Sequence, residues 1–299
     1  MRGGGRSMAY QAELVIDEKA MLGEGPHWDG HVLYWIDIIS KKLHRYNPEN
    51  HHNDTFQLEH YIGAVIPAED GRLVVGLQNG IHLFDLETNE LTLIGDPEKD
   101  LPHNRFNDGK CDPSGRLYIG TMDVGAKKGM GSLYRVDLKG QLKRMISPVT
   151  ISNGLAWSPD QKYMYYIDTP TGEVSTYRYD QQTGDIVYKE TAVQIPNGMG
   201  SPDGMTIDQE GMIWVAHWGG SRVTRWNPHS GKQLDEVYVP ASNVTSCTFG
   251  GKDLDELFIT TARQGLTEEE LALNPQAGGL FKVKTKEKGM VGQVYRGSI

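Results

Sequence analysis

Lys162-Tyr163-Met164-Tyr165-Tyr166-Ile167-Asp168, followed by Val174-Ser175-Thr176-Tyr177, is one copy of a phrase that occurs six times in this chain. Each copy reads as a turn, a short apolar strand, a tight corner, and a second strand bearing an aromatic or basic residue. The other copies are 31–37 with 43–46, 71–76 with 81–84, 115–120 with 132–136, 211–216 with 223–226, and 255–260 with 279–283. A period of roughly 40 to 50 residues made of strand pairs predicts a radial repeat.

Aligning the copies brings out a further strand before each, at 25–28, 63–67, 107–112, 153–157, 203–208 and 244–249. These stretches are rich in Gly and small residues and lead into turns such as Asp112-Pro113-Ser114-Gly115. A fourth, more polar strand is expected at 57–61, 90–94, 141–146, 186–189 and 233–239. Small residues innermost and wetter strands outermost predict an all-β, six-bladed β-propeller with four-stranded antiparallel blades around a central channel. A seventh repeat is absent, a β-sandwich pair would not repeat this phrase, and β-helix repeats are shorter.

Alternation at Ala12, Leu14 and Ile16, and again over 291–295, offers two candidates for the outer strand that closes the ring. One short surface helix is expected over 266–273, opened by Thr267 with Glu268, Glu269 and Glu270 in its first turn. No Pro/Ser-rich linker interrupts the repeats, so residues 9–299 read as a single propeller domain. Residues 1–8 lack the apolar core of a signal peptide and read as a disordered tail or an expression scar before Met8.

A formal charge of -9 without any basic stripe argues against a nucleic-acid surface. No window approaches the roughly 18 apolar residues of a membrane span. The two cysteines, Cys111 and Cys247, read as buried free thiols of a reducing compartment, hence a cytoplasmic expectation. Such a chain is expected to act on a small molecule, as a monomer or a weak homodimer.

The starts of the inner strands do not repeat faithfully. Glu24, Asn107, Asn153 and Asp203 stand at corresponding places, three followed directly by Gly and Asn107 followed by Gly after one residue. Any one alone reads as a turn former. Together, two carboxylates and two amides converging on an axis make an all-oxygen site for a hard divalent cation. Glu24, Asn153 and Asp203 form a three-residue set that leaves coordination open. Ca²⁺ is the first expectation, and Mn²⁺, Mg²⁺ or Zn²⁺ would also suit two negative ligands. Arg105 would offer a planar fork at the channel mouth, the alternative being a surface salt bridge. Asp123 could line the mouth or be an ordinary loop residue, and His217 could contact substrate. The tryptophans Trp28, Trp157, Trp214 and Trp226 read as packing between blades. Phosphate-loop, dinucleotide and serine-hydrolase motifs are absent from the sequence, and His51-His52 reads as solvated loop.

The motifs Gly23-Glu24-Gly25-Pro26, Arg105-Phe106-Asn107-Asp108-Gly109-Lys110-Cys111-Asp112, Ile151-Ser152-Asn153-Gly154-Leu155-Ala156-Trp157 and Pro202-Asp203-Gly204-Met205 resemble, in order and over nearly the whole chain, the SMP-30/gluconolactonase/regucalcin family. The resemblance implies one divalent cation at the top of the channel and, for most members, opening of a sugar lactone. It implies Glu24, Asn153 and Asp203 as metal ligands, Arg105 and Asn107 as substrate contacts, and Asp203 as general base. Animal regucalcins carry two glutamates shortly after Gly-Thr-Met. Here Asp123-Val124-Gly125 follows, so Gly125 stands in place of a substrate-binding Glu. The expected function is a metal-dependent gluconolactonase-like hydrolase. The alternatives are a non-catalytic calcium- or sugar-binding propeller, or a phosphotriesterase-like hydrolase on the same metal site.

Overall fold

The apolar run in the second strand of each repeat is buried on both faces, because each sheet is covered by the sheets before and after it. Tyr163–Asp168 shows this: its four central residues are buried. The structure, a computed structural model, describes residues 9–298. Six antiparallel sheets follow one another in chain order, and in each the first strand is innermost. The inner strands are Gly23–Trp28, Ile62–Pro67, Asn104–Cys111, Ser152–Trp157, Ser201–Ile207 and Asn243–Gly250, in blades one to six. We call the face where these strands begin the upper face.

Aromatic side chains lock neighbouring blades together, as expected for the tryptophans. Trp28 of blade one stacks on Phe258 of blade six at 6.0 Å, Trp157 of blade four meets Tyr118 of blade three at 5.1 Å, and Trp214 of blade five meets Phe249 of blade six at 5.4 Å. Burying each large aromatic stabilises the ring by about 1.5–3 kcal/mol.

Of the two closing candidates, the N-terminal one forms the outer strand. Glu13–Ile16 runs antiparallel to Leu280–Lys284 of blade six, with Leu14 opposite Phe281. Blade five departs from the four-strand rule: Ala9–Gln11 adds a fifth strand, parallel to Lys232–Tyr238. Residues 291–295 form no strand of a blade. The chain leaves blade six, bridges Asp208 of blade five at Gly289, and reaches Ala68 of blade two at Tyr295. Blades five and two face each other across a six-membered ring, so this segment crosses the lower end of the channel.

The outer strand of blade one is His52–Gln57 rather than 57–61, paired from Asn47↔His52 to Lys42↔Gln57. His51 takes the left-handed corner at φ 56, and His52 begins the strand instead of lying in a loop. An exposed polar strand has no apolar alternation to mark its limits, so its position depends on pairing. The short helix is Glu268–Leu273, with a complete capping box between Thr267 and Glu270. Both cysteines are free and buried. No helix among the described residues is long and apolar enough to cross a membrane. The expected tail, 1–8, lies outside the described residues.

Candidate metal and substrate site

Every inner strand breaks register with its neighbour near its upper end. The breaks fall between Glu24 and His27, Ile62 and Ala64, Phe106 and Gly109, Ser152 and Leu155, Pro202 and Met205, and Val244 and Ser246. A bulge re-aims side chains that would otherwise alternate across a sheet. Glu24, Asn107, Asn153 and Asp203 lie at or inside these bulges, and all four are buried. In blade two the bulge holds Gly63, where a Cβ would come within 2.0 Å of the Phe106 carbonyl oxygen. In blade six it holds Thr245, whose hydroxyl donates to the Gly23 carbonyl at 2.5 Å and lies 2.8 Å from Thr260 Oγ1. The two blades without an acidic or amide residue thus use the equivalent position for contact between blades.

A run of hydrogen bonds joins the site residues around the mouth. Arg105 Nη1 donates to the Phe106 carbonyl at 3.0 Å and to Asn107 Oδ1 at 2.8 Å. Asn107 Nδ2 donates to the Ser152 carbonyl at 2.7 Å and to Asn153 Oδ1 at 3.0 Å. Asn153 Nδ2 donates to Thr169 Oγ1 at 2.7 Å, and that hydroxyl donates to the Pro202 carbonyl at 2.9 Å, one residue before Asp203. The carboxyls of Asp203 and Glu24 lie close enough to shift each other's protonation, and Glu24 Oε2 accepts from the Gly25 N–H at 2.9 Å. Blades three, four and five are linked by these hydrogen bonds.

Charge is concentrated here. Burial, then the charges of Asp203 and Asp108, hold the Glu24 carboxyl well above the ordinary range. Burial, then Asp108, raise Asp203 likewise. Asp108 is itself raised by burial, with Lys110 opposing, and its Oδ2 has no hydrogen-bond partner. Burial lowers the Arg105 guanidinium to about 10 although Glu24 beside it works the other way. It remains a cation at neutral pH. Among the described residues no group of three or more His, Cys, Asp or Glu side chains is placed to share an ion. The expected donor set is different: two carboxylates and one amide oxygen. Two carboxyls raised by burial and by the nearby Asp108 charge, beside an amide oxygen, fit a hard divalent cation.

The other expected residues lie apart from this run of bonds. Asp123 ends the second strand of blade three, and its Oδ1 accepts from the Gly125 N–H at 2.8 Å and the Lys127 N–H at 3.4 Å, within its own loop. His217 is buried in blade five with Nε2 2.6 Å from Thr224 Oγ1, which turns the ring toward the third strand and away from the axis. Burial, helped by Arg222, lowers its pKa to about 4, so the ring is neutral. Sequence reasoning missed Asp108 and Thr169. For Asp108 a signal existed: it is the one residue that separates a site amide from its Gly. Thr169, in the short turn Thr169–Thr171 after a strand of blade four, carried none.

A family model described as SMP-30/Gluconolactonase/LRE-like region matches residues 22–263. The chain is 41% identical over 290 residues to a Bacillus subtilis protein named "Putative sugar lactone lactonase YvrE", covering 96% of this chain and 99% of that one. It is 38% identical over 283 residues to regucalcin of Oryctolagus cuniculus, covering 92% and 94%. Among solved structures it resembles a regucalcin from Agrobacterium tumefaciens described as a calcium-binding protein, with TM-score 0.92 and 31% identity over 97% of this chain and 100% of that one.

Proposed function

This chain belongs to the SMP-30/gluconolactonase/LRE-like family, and we propose that it holds a divalent cation with Glu24, Asn153 and Asp203 and uses that centre to open a sugar lactone. Cation binding is the part the geometry supports most directly. The observation that carries it is the burial of Glu24 and Asp203 near Asp108, where burial raises all three carboxyls and the Asp108 charge raises the first two further. Ca²⁺ is the ion proposed first, since two carboxylates and an amide are hard oxygen donors.

A cation bound there would supply Lewis acidity toward a lactone carbonyl and make a nearby water more acidic. Asp203 is the proposed base: it takes a proton from the attacking water and returns it to the ring oxygen as the acyl C–O bond breaks. Arg105 and Asn107 would bind and orient the hydroxyls of the sugar acid. Their mutual 2.8 Å hydrogen bond fixes both at one edge of the mouth. Asp123 stands over Gly125, where an added Cβ would lie 3.1 Å from its Oδ1, so it is the proposed replacement for the missing Glu.

A second reading, cation binding without hydrolysis, is favoured by the likeness to a regucalcin described as a calcium-binding protein. One experiment separates the two. Metal-stripped protein is titrated with Ca²⁺, Mn²⁺, Mg²⁺ and Zn²⁺ by calorimetry, then assayed by pH-stat on five- and six-membered aldonolactones and on a phosphotriester. Cation-dependent ring opening supports the lactonase. Saturable cation binding without turnover supports the second reading, and no binding rejects both.

A further inference from the structure

The channel has a second chamber at its lower end, beneath the C-terminal segment. Residues 288–298 are strapped to the ring by hydrogen bonds from the Gln209 N–H to the Lys288 carbonyl (2.8 Å), the Tyr295 N–H to the Pro67 carbonyl (2.9 Å) and the Arg296 N–H to the Gly115 carbonyl (3.1 Å). Tyr295 is fully buried, and its hydroxyl donates to the Asp137 carbonyl at 2.8 Å. Between this strap and the lower ends of the inner strands lies a cavity of about 130 Å³. A single water needs roughly 10–15 Å³ on the same measure.

The only charged residue lining this cavity is Lys110, and no carboxylate borders it. Three of its residues carry buried polar atoms without a partner: His27 Nε2, Trp157 Nε1 and Gln161 Oε1. His27 is 8% exposed and Trp157 7%, so neither group is served by bulk water. A buried polar group left without a partner is unfavourable, so a site with three of them is suited to a ligand that pairs with them. The Trp157 N–H and the Lys110 ammonium can only donate. Neutral His27 donates through Nε2 in one tautomer, and Gln161 donates once its amide is turned end for end. The remaining walls include Pro26, Leu155, Ile207 and Val291, which are apolar.

We propose that this lower chamber binds a small organic carboxylate, its oxygens taken by Trp157 Nε1, His27 Nε2 and Lys110 Nζ and its short hydrocarbon body held against the apolar wall. Lys110 Nζ already donates to the Met205 carbonyl, which fixes the ammonium in the channel and leaves it two further protons. The site is separate from the upper one, although Lys110 also acts on Asp108: its ligand carries negative charge, and the donors all come from the lower halves of blades one, three and four.

The test uses the full chain, metal-stripped and carrying Asp203→Asn, so that the upper mouth cannot capture the anion through a cation. Butyrate and butyramide are titrated by calorimetry and by ligand-observed NMR. Butyrate is expected to saturate, and butyramide to bind at least 10-fold more weakly. Trp157→Phe keeps the ring and removes the N–H. Gly292→Val places a Cβ about 3.1 Å from His27 Nε2, which fills the chamber. Each is expected to weaken butyrate at least 10-fold. Lys110→Gln gives the same readout should Gly292→Val fail to fold. A chamber that holds water only, seen as no saturable binding, overturns the proposal. So does equal binding of butyramide, or butyrate binding that all three substitutions leave unchanged.

Discussion

Asn107 Nδ2 donates to Asn153 Oδ1 across the boundary between blades three and four, at 3.0 Å. An amide has two chemically different ends, and this contact, with the 2.7 Å donation from Asn153 Nδ2 to Thr169 Oγ1, turns the oxygen of Asn153 toward blade three and its nitrogen toward Thr169. Asn107 is in turn held by Arg105, so an oxygen donor in blade four is set by a guanidinium in blade three.

Removing that support should weaken cation binding without removing a ligand. Asn107→Ala is expected to lower Ca²⁺ affinity by about 10–100-fold, the usual cost of losing a group that orients a metal ligand. Calorimetric titration of the metal-stripped protein measures it. An unchanged affinity would show that Asn153 needs no orienting partner.

The carboxyl cluster sets a pH dependence. Folding raises the pKa of both Glu24 and Asp203, so the folded protein binds more protons than the unfolded chain between the unfolded values, near 4, and the raised folded ones. Their contribution to stability is therefore complete below the unfolded pKa and lost as pH rises through the folded values. Metal-stripped protein should lose thermal stability over that rise, and Ca²⁺ should restore more of it at high pH than at low pH. Melting curves with and without Ca²⁺ from pH 4 to pH 8 would show a gap that widens with pH. A gap independent of pH would contradict this account.

Glu24→Gln should separate stability from binding. It removes one of three buried, mutually repelling carboxyls while keeping shape and hydrogen-bonding capacity. In chelator at pH 8 the variant is expected to melt about 2–4 °C above the parent, and Ca²⁺ should no longer shift it. A lower melting point in chelator would mean that the carboxyl is better satisfied than its surroundings suggest.

Away from the mouth, Asp208 supports the lower rim of blade five. Its fully buried carboxylate accepts from Arg225 Nε at 2.8 Å, Trp214 Nε1 at 3.0 Å, and the N–H groups of Glu210 and Met212 at 3.0 Å each. Asp208→Ala leaves the Trp214 N–H and two backbone N–H groups without this acceptor, while Arg225 keeps Glu210 and Asp235, and should cost about 1–3 kcal/mol in urea unfolding. A loss below 1 kcal/mol would show that water replaces the carboxylate readily.

A steric test of the bulges is Gly63→Ala. Its Cβ has no room, at 2.0 Å from the Phe106 carbonyl oxygen and 2.7 Å from the Asn107 N–H nitrogen. Blade three would have to shift, at a cost of about 1–3 kcal/mol or more. Because the displaced residue is Asn107, cation affinity should fall as well. Loss of stability with full affinity would show that the shift is absorbed elsewhere.

Much of the fold follows from local chemistry. The sixfold phrase, its apolar second strands and its Asp- and Gly-based turns specify the blades, since a strand buried on both faces and a left-handed corner each leave a mark in composition. The capping box at Thr267 is legible for the same reason: its partners are three residues apart. The outer strand of blade one left no such mark, because exposed polar residues fit many registers. The same holds for the pairing of Ala9–Gln11 with blade five and for the path of residues 289–296 across the lower end.

At the mouth, sequence alone determined which residue types stand at the inner-strand starts, and hence that four blades of six carry an acidic or amide side chain there. Tertiary structure decided what those residues meet. Glu24 and Asp203 are 179 positions apart and the charge of one raises the other, Asn107 holds Asn153 across a blade boundary, and Asp123 and His217 have other hydrogen-bond partners. The physical reason is range. Turns, caps and alternation act over a few residues, whereas the convergence of bulges on one axis and the burial that shifts their charges arise only once the ring is closed.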